Sequence, residues 1–139
     1  MQEVGHHRKI SCKRSPLHGW GVFADEPIES GVFIETAPGI IVNQKLLAAC
    51  YYVVTADGIP PSEIVLDQYG LGWTGGCVFF PLGWCGLYNH SDKPSAEFVY
   101  VSDNETLGIR SLRQIEAGEE ITVNYGHDWW KKKPFLKKA

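Results

Sequence analysis

Nine short segments of this chain are each rich in β-branched or aromatic residues, and clusters of Gly, Pro, Asn and Asp separate them. In chain order they read KISCKR, GVFA, GVFIET, IIV, EIVLD, CVFF, EFVYV, TLGIRSL and EEITV. Side chains of such residues fit a pleated, half-buried surface, and the intervening glycines and prolines break any continuous helix. One helix is expected, capped by Asn43 and running through QKLLAACYYVV, with Leu46, Leu47, Cys50, Tyr51 and Val54 as its apolar stripe. Pro60 and Pro61 end it, and a short helical turn is expected after Asn124. The fold class is therefore mostly β with few short helices. At 139 residues the chain is one domain's length, enough to bury a core without staples.

Charge narrows the partner. The formal net charge is −3, yet five lysines lie in the last nine residues, KKKPFLKKA, and without them it becomes −8. An acidic body suits a basic partner and argues against a nucleic-acid backbone as a direct ligand. No apolar run reaches membrane-spanning length, and the polar start MQEVGHHRKI is unlike a signal peptide. Cys12, Cys50, Cys77 and Cys85 form no CxxC pair and no zinc spacing, so they read as reduced and mostly buried thiols of an intracellular protein, and no metal site is expected.

Three segments carry more polar and conformational specification than packing needs. In SPLHGWGVFA, residues 15–24, Gly19 and Gly21 flank Trp20 just before a strand, which suits either a plain turn or a close backbone approach to a ligand. In LYNHSDKP, residues 87–94, Asn89, His90 and Ser91 follow an apolar run. They fit a loop whose side chains cap backbone groups, or a polar surface offered to a ligand; polar groups carried inward need partners. In EAGEEITVNYGHDWW, residues 116–130, a turn feeds the strand ITVNY, with Ile121 and Val123 on one side and Thr122 and Asn124 on the other. Tyr125 sits at the strand's end before Gly126, where the chain must bend.

In this order the three segments resemble a SET domain, the fold of most protein-lysine methyltransferases. HGWGVFA looks like the family's GxG motif, YNHSDKP like its NHSxxP motif, and GEEITVNYG like its GEE-[LI]-T-x-x-Y motif. The matches cover residues 9–130, leaving a basic tail at 131–139 of a single domain spanning 1–139. The size is similar to that of minimal stand-alone members, which pair through their sheets, so the resemblance admits a homodimer. It implies small curved sheets and a C-terminal pseudoknot that threads the GEE-Y segment against the NHS segment.

The implied activity is S-adenosylmethionine-dependent N-methylation of a lysine in a basic or flexible protein or peptide, with S-adenosylhomocysteine as product. By resemblance, Gly19, Trp20 and Gly21 lie along the methionine end of the cofactor, Asn89 binds that end, and the His90 backbone meets the adenine. Trp130 is the preferred adenine-stacking residue, and Trp129 roofs the lysine channel. Tyr125 matches the tyrosine whose hydroxyl sits beside the transferring methyl. Tyr69 matches an aromatic facing the substrate and Phe98 an aromatic of the substrate channel that limits how many methyls fit, while Val123 stands at the position that often sets that limit. Ser95 departs from the pattern, which has Asn after the proline. Two other functions fit the same motifs: a peptide-binding SET-like module without turnover, and a methyltransferase acting on a small amine. The resemblance places the protein in the cytoplasm, or in the nucleus if the substrate is a histone.

Overall fold

The computed structural model describes residues 3–43, 45–46, 56, 58, 70–73, 76–101 and 105–126. It is built mostly of strands, and contacts divide it into two compact units, Met1–Gly39 with Pro81–Asn124, and Ile40–Phe80 with Tyr125–Ala139.

The first unit holds two sheets. In one, β1 (Gly5–His6) pairs with β4 (Phe33–Asn43), β4 with β9 (Thr106–Ser111), and β9 with β8 (Ala96–Val101), all antiparallel. In the other, β2 (Ile10–Arg14) pairs with β3 (Trp20–Ala24) and β3 with β10 (Glu120–Val123), both antiparallel. The last partner of β10 is β7 (Asn89–His90), and this ladder is parallel, Thr122 opposite Asn89 and Val123 opposite His90. Ile28, Ile34, Leu107, Ile109, Ile115, Ile121, Val22 and Val123 are fully enclosed and form the core between these strands. In the second unit, β5 (Leu71–Trp73) and β6 (Cys77–Pro81) make an antiparallel hairpin, with the Trp73 ring stacked 4.5 Å from Phe79.

Several expectations needed adjustment. GVFIET and IIV are not two strands but parts of one, β4, because Pro38 is the last residue in register with β9 and the strand simply continues past that ladder. Asn-His, compatible with a capping loop, is a short strand held by β10. Of the expected helix, Lys45 and Leu46 are helical, and Asn43 Oδ1 accepts the Lys45 N–H at 2.8 Å as a cap does. Leu46, assigned to the apolar stripe, is exposed. Leu47, Cys50, Tyr51 and Val54 lie outside the described residues, as does EIVLD. Cys12, Cys77 and Cys85 are free thiols, but only Cys85 is buried.

One polar cluster sits inside the first sheet. The Glu35 carboxylate accepts the Tyr88 hydroxyl at 2.9 Å and the Trp84 N–H at 2.8 Å, and His6 Nε2 lies 3.6 Å away. Cys85 and Cys12 are its other titratable neighbours. Burial raises the Glu35 carboxyl above the usual glutamate range, against the opposing pull of Trp84, Tyr88 and His6. A carboxyl raised in the folded state contributes stability that is complete below its unfolded value and lost as pH climbs through the folded one. The stability advantage of the native protein over Glu35→Gln therefore shrinks as pH rises out of the ordinary glutamate range. Denaturant titrations of both proteins at pH 4 to 8 check this; an advantage that grows with pH contradicts it.

Candidate active site

The two glycines around Trp20 serve different needs. Gly19 closes the β2–β3 turn in a left-handed conformation, φ +48°, and its carbonyl accepts the Ser15 N–H at 2.8 Å. Gly21, already inside β3, is required for space: a Cβ there would lie 2.5 Å from Glu120 Oε2 and 3.0 Å from Ser15 Cβ. Trp20 between them is half exposed, with the Arg14 guanidinium 4.9 Å from its ring centre.

The parallel ladder carries Asn89 to this turn. Its side chain is buried, 5% exposed, and Nδ2 donates to Glu120 Oε2 at 2.8 Å, to the His18 carbonyl at 3.0 Å and to the Trp20 carbonyl at 3.2 Å. Among the described residues Oδ1 receives no hydrogen bond. The second Glu120 oxygen accepts the Ser15 hydroxyl at 2.6 Å. One carboxylate on β10 thus joins the GxG turn, the Asn-His strand and the Gly-Glu-Glu strand. Glu120 and Ser15 were not singled out by sequence. The usable signal is alternation: Glu120 and Thr122 share a face of β10, and Thr122 is in register with Asn89.

Neighbouring contacts keep the two strands in place. Ser91 N donates to the Val123 carbonyl at 2.9 Å. Ser95 and Thr122 are both buried and bond reciprocally, Ser95 N to Thr122 Oγ1 at 3.3 Å and Thr122 N to Ser95 Oγ at 3.1 Å. The residue that departs from the usual motif therefore fastens the same junction. Ahead of β10, Arg113 forks onto Glu119. The Arg113 hydrogen bond holds the Glu119 carboxyl below its ordinary range and secures the turn.

The candidate residues are distributed unevenly. Gly19, Trp20, Gly21 and Asn89 converge. His90 follows on β7, half-buried, with Nε2 2.9 Å from Asp92 Oδ1. Phe98 is half-buried on β8, its ring 6.3 Å from Tyr100. Val123 is buried at the end of β10, which stops there and does not run on to Tyr125 as the segment ITVNY led one to expect. Tyr125, half-buried, comes two residues later, and Gly126 after it bends the chain at φ +88°. Tyr69, Trp129 and Trp130 lie outside the described residues. Among those described, no group of three or more His, Cys, Asp or Glu is arranged to hold a metal, and no helix is long and apolar enough to cross a membrane.

The chain is similar to known proteins in sequence and in fold. The family model for the SET domain matches residues 19–126. A Schizosaccharomyces pombe histone-lysine N-methyltransferase, H3 lysine-37 specific, is 27% identical over 129 residues, covering 88% of this chain and 81% of the relative. A Debaryomyces hansenii histone-lysine N-methyltransferase, H3 lysine-4 specific, is 28% identical over 127 residues, but this chain spans only 11% of its length. Among solved structures, a candidate histone methyltransferase from Plasmodium falciparum superimposes with a TM-score of 0.64 at 29% identity, covering 89% of this chain and 98% of that one. With its GxG turn, its Asn-His strand and its Gly-Glu-Glu strand gathered as described, the chain belongs to the SET domain family of lysine methyltransferases.

Proposed function

We propose that this SET domain, one catalytic domain over residues 1–139, uses S-adenosylmethionine to methylate the ε-amine of a lysine in a basic, flexible protein segment. The observation that carries the reading is the parallel ladder pairing Asn89 with Thr122 and His90 with Val123. It links the segment expected to hold the methyl donor to the strand that leads into Tyr125.

The residues present fit the cofactor's amino-acid end. An α-ammonium needs oxygen acceptors, and Asn89 Oδ1 supplies one beside a glycine with no room for a side chain. Gly19, Trp20 and Gly21 would flank that end, His90 would meet the adenine through its backbone, and Trp130 would stack on it. When bound, the cofactor supplies an electrophilic methyl on a sulfonium, and S-adenosylhomocysteine is left.

The protein's work is then orientation and proton control. A free lysine with a pKa near 10.4 is neutral in roughly one molecule in a few thousand at pH 7. Apolar channel walls disfavour its ammonium form, which is the part given to Tyr69, Phe98 and Trp129. The Tyr125 hydroxyl holds the amine and accepts weak C–H contacts from the methyl, fixing the line of approach. No metal takes part in this chemistry.

The Schizosaccharomyces pombe and Debaryomyces hansenii relatives are named for histone H3 lysines, and the net charge of −8 outside the lysine-rich tail suits a basic peptide. A histone H3 tail is the first substrate to try, and such a substrate would require the protein to act inside the cell and, for a chromatin substrate, in the nucleus. Calorimetry should register S-adenosylmethionine binding at micromolar concentration, and labelled cofactor should transfer label to an H3 peptide. Absence of binding at high micromolar cofactor defeats the enzyme reading and leaves a peptide-binding module. Label appearing only in small amines replaces the protein substrate.

A further inference from the structure

Glu120 does more than brace the fold. All three oxygens that receive the Asn89 Nδ2 group, those of Glu120, His18 and Trp20, are pure acceptors. A flipped Asn89 amide would turn its carbonyl oxygen onto three other oxygens, lone pair against lone pair. The amide is therefore held in one sense, and Oδ1 is left as a buried acceptor with no donor among the described residues. Two backbone carbonyls contribute to this lock, but only Glu120 brings a charge, and its other oxygen is held by Ser15 at 2.6 Å. Gly21 lets the carboxylate approach the turn so closely.

We propose that Glu120 is a positioning residue for cofactor recognition: it fixes the Asn89 amide so that Oδ1 accepts the α-ammonium of the bound nucleoside-amino acid, and its own charge complements that cation. The role rests on the S-adenosylmethionine reading given above. It selects ligands that carry a primary ammonium, and it is indifferent to the adenosine and to the charge on sulfur.

The substitution Glu120→Gln tests it. A glutamine amide can either accept from Nδ2 or donate to Oδ1, so both Asn89 orientations become available, and the negative charge is gone. Two neutral-sulfur ligands separate the effects in calorimetric or competition titrations. S-adenosylhomocysteine carries the amino-acid end, and 5′-methylthioadenosine lacks it. In the native protein S-adenosylhomocysteine binds the more tightly. In Glu120→Gln that preference falls by about tenfold or more, while 5′-methylthioadenosine affinity stays within about twofold. Equal weakening of both ligands, or an unchanged preference, overturns the role, because a merely structural carboxylate would act on the whole site. Native protein that binds neither ligand overturns the cofactor reading itself and this role with it. Should Glu120→Gln fail to fold, Glu120→Asp keeps the charge with a shorter reach; it lowers the preference by a smaller factor, and an unchanged preference there also overturns the role.

Discussion

Tyr125→Phe lowers the methyl-transfer rate by about a hundredfold or more while S-adenosylmethionine affinity changes by less than about threefold. The substitution removes one oxygen and keeps the ring, so packing around the half-buried side chain before the Gly126 bend survives. What is lost is the group proposed to orient both amine and methyl, and alignment of this kind acts on the chemical step rather than on ground-state binding. Single-turnover rates with saturating peptide, paired with calorimetry on the same preparation, read the two quantities separately. A variant that turns over at near-native rate removes Tyr125 from the mechanism. One that loses binding and rate together makes it a cofactor-holding residue.

Gly21→Ala is the second large effect. An alanine Cβ would stand 2.5 Å from Glu120 Oε2, too close for any real contact. The carboxylate is the end of a flexible side chain, but it can retreat only by releasing the Asn89 amide at 2.8 Å and the Ser15 hydroxyl at 2.6 Å. Two charge-assisted hydrogen bonds are at stake, so the expected loss is about 2–4 kcal/mol of stability, with cofactor affinity down by about tenfold or more. Chemical denaturation and calorimetry measure both. Native-like values in both would mean that the carboxylate has another resting place and that Gly21 is there for the turn alone.

The strands of the first unit were legible because their residue types and their glycine and proline punctuation act locally: ISCKR, FVYV and EITV each fall inside a strand. The three motifs were legible as polar or glycine positions that packing does not call for. What could not be read was pairing. A two-residue strand such as Asn89–His90 has no period to detect, and nothing local encodes a parallel partner more than thirty residues away. The threading implied by family resemblance supplied that juxtaposition. Even then Glu120 stayed hidden, because its meaning depends on which residue lies opposite Thr122. The Glu35 cluster was invisible for the same reason, since Tyr88 and Trp84 approach it from about fifty positions along the chain.

The placement of β10 between β3 and β7 has a consequence for how the protein is made. A nascent chain that has passed residue 90 already owns its Asn-His pair and its GxG turn, yet until residues 120–123 emerge from the ribosome there is no carboxylate to join them, and one edge of β3 stays open. Contacts spanning 31 and 105 positions form last and together. The carboxylate junction that the proposed cofactor site relies on is thus completed only late in synthesis, and the uncovered strand before that point is the stretch a chaperone would have most reason to shield.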